Sequence, residues 1–211
     1  MSFNSENELC GLGLSRLGNN GSVGDITTPV TDIDIAFALF YNIERQFSLT
    51  KMMPNFALRR RLVAKDTSAY IAFGYAYAYE YPVDCLKVLG IGLISERENN
   101  YVIESDENGV RKIYTDEDYP DGLPLRFIYD ETNVSRFTAD FVVTFSYNLA
   151  SAVAMHVTQN LDSAALAETM RKTAMLASGA INSQENRPVR VSTSRFKQSR
   201  YADITSYPTK K

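Results

Sequence analysis

The chain has 211 residues, is 45% hydrophobic and carries a formal net charge of −3. That length suits one large domain, or one domain with a sub-domain and a tail, and the charge argues against a general nucleic-acid binder. Cys10 and Cys85 lie far apart and form no CxxC or Cys/His cluster, so both are read as reduced, with neither a disulfide framework nor a zinc site expected.

The opening MSFNSENELCG lacks the basic and apolar regions of a signal peptide, which points to synthesis and folding in a cytoplasm. Ser5 to Glu8 reads SENE, a capping box that predicts a helix from about Glu6, with Leu9, Leu12, Leu14 and Leu17 on its apolar side and Gly18 ending it. A second helix is expected from Thr31 or Asp32 to about Thr50, where Ile33, Phe37, Phe40, Ile43 and Phe47 recur at helical spacing. After Pro54, Phe56 to Val63 reads as a short helix or an extended arm carrying Arg59, Arg60 and Arg61.

From Ala69 to Tyr129 the texture turns aromatic and β-branched. Tyr75, Tyr77, Tyr79 and Tyr81 alternate with Ala76, Ala78 and Glu80, a period of two that sets the tyrosines on one face of a strand. Such a row is most often one side of a packed sheet or a subunit interface. Cys85 to Ile94 reads as another strand, and Tyr101 to Ser105 with Val110 to Thr115 as a hairpin whose turn ends in Asn108-Gly109. Leu125 to Tyr129 supplies a last strand.

Phe141 to Val157 is apolar almost all round a helical wheel, so it needs cover from other parts of the chain or from other copies. Thr144, Ser146, Asn148, Ser151 and His156 interrupt it, and it falls short of the ~20 apolar residues of a bilayer span, which favours a core helix. A partner helix capped by Asp162 or Ser163 follows, with Leu166, Met170, Ala174, Ala177 and Ile181 along one side, and the short connection makes the two antiparallel neighbours. From Ser183 to Lys211 seven basic residues face two acids, a surplus of five positive charges on a chain whose total is −3, so the remainder carries −8. This is a basic arm on an acidic body.

Enzymatic constellations are sparse. His156 is the only histidine, the Gly11–Gly13 and Gly90–Gly92 fragments lack the rest of a dinucleotide motif, and no phosphate-loop pattern occurs. The acid pairs Asp32/Asp34 and Asp116/Asp118 read as a helix cap and a solvated loop, with a divalent-ion phosphodiesterase as the rival reading. No cofactor and no metal are expected.

Three stretches, taken in order, carry a resemblance: Phe56-Ala57-x-x-Arg60, Tyr81-Pro82-x-Asp84-Cys85-Leu86, and the Phe137 to Ala154 entry with Phe141, Leu149 and Ala150. Across roughly Glu8 to Asn182 the chain resembles the tail tubular protein A family, the head-to-tail adaptors of short-tailed bacteriophages. It departs from that pattern in having no tryptophan before the Phe-Ala pair, and the Lys65 to Ala69 loop and the tail follow no family pattern. The resemblance implies a non-enzymatic virion protein of α+β class, mainly α: an antiparallel helical bundle with an inserted antiparallel β sub-domain and an extended basic C-terminal arm. Its expected segments are 1–64 and 133–182 for the bundle, 65–132 for the β sub-domain and 183–211 for the arm.

It also implies a ring of twelve copies between portal protein and tail nozzle protein, with genomic DNA passing through without sequence-specific binding and no membrane partner. Arg187, Arg190, Arg195, Phe196, Lys197, Arg200 and Tyr201 are the expected portal-binding residues. Arg59, Arg60, Arg61, Tyr75, Tyr77 and Tyr79 are the expected subunit or partner contacts. The alternative is a nucleic-acid-binding accessory protein that uses Arg59 to Arg61 and the basic tail.

Overall fold

The computed structural model describes residues 5–68, 71, 74–92 and 101–185, with the side chains of 180–185 excepted. The fold is α+β, with four α-helices and two small antiparallel sheets among the described residues. The expected basic arm lies almost wholly outside the described residues.

Helix α1, Glu6–Arg16, starts where Ser5 accepts the Glu8 amide at 3.2 Å, as the SxxE pattern requires. Helix α2, Asp32–Met52, begins in a full capping box: Thr31 accepts from the Asp34 amide, and Asp34 accepts from the Thr31 amide. Helix α3, Ala139–Thr158, is the expected central helix, and α4, Leu161–Glu185, runs back beside it. The turn between them places Gln159 in the left-handed region, and Asn160, rather than Asp162 or Ser163, accepts the first free amides of α4.

Helices α1, α2 and α4 all pack on α3. Phe141, Phe145, Leu149 and Val153 follow one another at steps of four and are fully enclosed, each contributing on the order of 1.5–3 kcal/mol by leaving water. Phe137, Phe141 and Phe56 meet edge-on or tilted, with centroids 4.9–5.5 Å apart. Thr144, Ser146, Asn148 and Ser151, which interrupt α3, each donate a hydrogen bond, although the Asn148 Oδ1 is buried without one among the described residues. Asn148 donates to Ser48 of α2 at 2.7 Å, and Ser151 donates to Glu168 of α4 at 2.9 Å. By length and composition α3 also passes for a membrane span, but 56% of that span is buried inside the protein.

Two helix faces differ from expectation. On α2 the buried line is Phe37, Tyr41, Arg45, Ser48, Leu49 and Met52, and Ile43 stands 62% exposed. On α4 the contact uses Ala167 and Ser178, while Leu166 and Met170 face outward. On α4 the small Ala167 and Ser178 allow close approach and bulkier residues stay outside, whereas on α2 the large Phe37, Tyr41 and Leu49 are enclosed and the polar Arg45 and Ser48 beside them bond Asp130 and Asn148.

Strand β1, Leu58–Val63, follows a single 3₁₀ turn at Asn55–Ala57, so the arginine segment is extended rather than helical. It pairs with β6, Leu123–Tyr129, which pairs in turn with β3, Cys85–Ile91. The second sheet orders β2, Tyr77–Glu80, beside β5, Arg111–Thr115, and then β4, Tyr101–Ser105. The β4–β5 hairpin is closed as the Asn-Gly signal predicts: Asp106 accepts from the amides of Asn108 and Val110, and Gly109 takes φ +76°. The chain passes directly from β1 to this sheet, since Lys65 bridges Tyr79. One hydrophobic cluster runs from the helices through both sheets.

Candidate functional site

Because β1 is extended, its side chains alternate, and the three consecutive arginines divide between two faces. Arg59 and Arg61 lie on the side where β6 presents Tyr129 and Phe127. The Arg59 guanidinium sits 3.3 Å from the Tyr129 ring centroid, and that of Arg61 lies 5.8 Å from Phe127. Both also bond Asp84, Arg59 at 2.9 Å and Arg61 through two contacts at 3.2 Å. Arg60 projects from the other face, exposed, directly across from Arg126.

A second ion pair lies behind the first. Asp130, at the end of β6, accepts two bonds from Arg45 at 3.1 and 3.0 Å and one from Gln46 at 2.9 Å, while its amide bonds the Asp84 carbonyl at 2.9 Å. The Arg45 side chain is only 6% exposed, so this pair works where solvent screens little. Helix α2, β6, the turn before β3 and β1 are thereby tied by one chain of charges. A groove of about 700 Å³ opens over it, lined by Arg61, Glu80, Tyr81, Val83, Asp84 and Asp130.

The next step of the chain is also charged. Glu131 is buried and accepts from the Tyr129 hydroxyl, from Arg136 at 2.9 Å and from the Asn133 amide at 3.0 Å. Burial works to raise its carboxyl, but these bonds outweigh burial and hold it low. Between α2, α3 and α4, Arg171 first and Ser151 after it hold the Glu168 carboxyl down to about 2. Glu44 lies beside them with one carboxylate oxygen buried and unbonded, and burial raises it.

None of these groups forms a nucleophile–base pair. Burial pushes the Cys10 thiol up to about 12 and raises Cys85 as well, so neither is a thiolate at neutral pH. His156 lies at the surface with its ring 5.6 Å from Phe40. Asp34 is a cap, accepting from the amides of Thr31 and Gly24, which lower it in that order; Asp118 pairs with Lys65 at 2.8 Å. Among the described residues no three His, Cys, Asp or Glu side chains converge as metal ligands.

Tyr77 and Tyr79 share one face of β2, as their spacing predicts, but differ in burial. Tyr77 is half-buried on β2, and Tyr75 precedes the strand with its ring 6.4 Å from Tyr114. Tyr79 is fully enclosed, packs edge-on against Tyr119 and accepts that residue's amide at 2.8 Å, so it is a core residue with no outer surface. Arg187, Arg190, Arg195, Phe196, Lys197, Arg200 and Tyr201 lie outside the described residues. The pairing of Asp84 and Asp130 with arginines from β1 and α2 had no local sequence signal, because the partners are separated by 23 to 85 positions.

Compared with known proteins, the chain matches no family model and no curated protein.

Proposed function

We propose that this chain is a virion structural protein, a head-to-tail adaptor of a short-tailed bacteriophage, made in the host cytoplasm and built into the junction between portal and tail nozzle. The reading rests on the resemblance of the Phe56–Arg60, Tyr81–Leu86 and Phe137–Ala154 stretches. In its finer form the helices make a bundle around α3, the sheets are an inserted sub-domain and 183–211 is a portal-binding arm.

The observation that supports it best is the exposed apolar surface on two different helices. Ile35, Leu39 and Ile43 recur every fourth residue on α2 and are 44–62% exposed, and Leu166, Met170 and Leu176 are 46–79% exposed on α4. Leu166 and Met170 border a groove of about 320 Å³ with Leu17 and Tyr147. Two unlike apolar surfaces on one chain suit head-to-tail association, which closes into rings when the rotation allows. The acidic body suits a channel along which DNA slides, because phosphate contacts would add affinity.

The Arg59 to Arg61 run supports the nucleic-acid alternative weakly, since two of its three guanidinium groups are engaged by Asp84. Mass measurement of the purified chain, alone and with portal protein, tests the proposal. The expected product with portal is a ring, and a truncation from Pro188 onward stays folded but no longer assembles on portal. A persistent monomer that shifts DNA in a gel would overturn the adaptor reading, and unchanged portal binding by the truncation would remove the arm from it.

A further inference from the structure

Two apolar surfaces look out from opposite sides of the central helix. Ile35, Leu39 and Ile43 follow one another at steps of four along the outer side of α2, away from α3. On the other side, a groove of about 320 Å³ between α1, α3 and α4 is walled by Leu17, Tyr147, Leu166 and Met170 and floored by the enclosed Ala150 and Ala167. Asn148 fixes these directions, because it bonds Ser48 of α2. At about 100° of turn per residue, Ala150 stands about 200° round α3 from Asn148, and Leu39 about 200° round α2 from the buried Phe37. A charge of opposite sign borders each surface. Asp32 is exposed on the line of the stripe, three positions before Ile35. Arg16 is exposed at the groove, with its Nε donating to Ser146 at 3.4 Å and its guanidinium 4.5 Å from the Tyr147 ring centroid. Those contacts fix its position, and no carboxylate among the described residues pairs with it.

We infer that the α2 stripe of one copy of this chain seats in the α1–α3–α4 groove of the next copy, with Leu39 entering over Ala150 and Ala167 and Asp32 coming beside Arg16. This rests on the head-to-tail association proposed above and assigns the two surfaces that make it. Leu166 and Met170 are a step of four apart, about 6 Å along α4, which is also the separation of Ile35 and Leu39 on α2, so the two ridges interdigitate as packed helices do, at a crossing of about 50°. The alanine floor leaves room for the branched side chains of the stripe, and the acid and the guanidinium fix which end lies where. Because the stripe and the groove face opposite ways, one two-fold axis cannot bring both into the same contact. Each copy therefore offers its groove to one neighbour and its stripe to the other, in a constant sense.

The full chain is made as two variants, Leu39→Cys and Met170→Cys, both at exposed side chains, while the native Cys10 and Cys85 are buried. Each is oxidised alone and in an equal mixture, free in solution and bound to portal protein, and the covalent products are read by mass. The mixture gives about tenfold more disulfide dimer than either variant alone, linked between positions 39 and 170. Asp32→Arg lowers that yield about fivefold, and adding Arg16→Asp to the same chains restores it, a rescue that a loss of folding would not give. Leu39→Cys chains that link to themselves overturn the inference in favour of a two-fold pairing through α2, and equal yields from mixture and single variants, or no link in either setting, overturn it outright. Rings on portal that lack the 39–170 link also overturn it, while the adaptor reading stands. A 39–170 link in a free chain that does not bind portal supports the inference and overturns that reading.

Discussion

Arg45 shows how far a residue's role departs from its place in a sequence pattern. It lies on the buried, mostly apolar side of α2, and it is held there by Asp130, eighty-five positions away, through a bidentate contact. Removing Arg45 leaves the half-buried Asp130 carboxylate with Gln46 as its remaining side-chain donor. Arg45→Ala should therefore lower stability by about 3 kcal/mol in urea unfolding. Arg61→Ala, at a more exposed ion pair, is the matched control, with a loss of at most about 1 kcal/mol. Equal effects would mean that the Arg45 pair is screened as well as the surface one. The same comparison explains what was legible at Arg59 to Arg61: their residue type and adjacency are plain, but their division between Asp84 and the open face follows only from β1 being a strand.

At the scale of elements, capping chemistry and period gave good bounds. Helices α1 and α2 start where Ser5 and Thr31 cap them, and the β4–β5 hairpin turns at Asn108-Gly109. Which face each helix buries was less legible, because contact depends on the partner's shape as well as on hydrophobicity. Gly13 illustrates this. A Cβ built there meets Leu149 Cβ at 3.3 Å and the Ser146 carbonyl oxygen at 3.4 Å, so α1 approaches α3 at a distance that only glycine allows without adjustment. Gly13→Val should cost about 2 kcal/mol by overpacking this contact, read as a lowered urea midpoint at unchanged m-value. A neutral or stabilised variant would show that α1 shifts freely on α3.

At the scale of the whole molecule the outward apolar residues matter most. Leu39 is 60% exposed on α2, so Leu39→Asp should leave the stability of the single chain within about 0.5 kcal/mol of the parent. In the proposed ring the same change places a charge in an apolar contact between copies, and the expected outcome is a folded monomer in mass measurements where the parent assembles with portal. Normal assembly by Leu39→Asp would take the α2 stripe out of the interface. By itself the sequence determined the presence of both helices and strands, the starts of α1 and α2, the hairpin turn and the need to surround Phe141 to Val157, because caps, turn residues and periodicity act over a few neighbouring positions. Only the tertiary structure decided that β1 is a strand, that Tyr79 is core, that Asp84 and Asp130 each gather arginines, and which apolar residues of α2 and α4 are left outside. Each of those outcomes depends on partners tens of positions away, where side-chain size and charge are matched in space and leave no periodic trace along the chain.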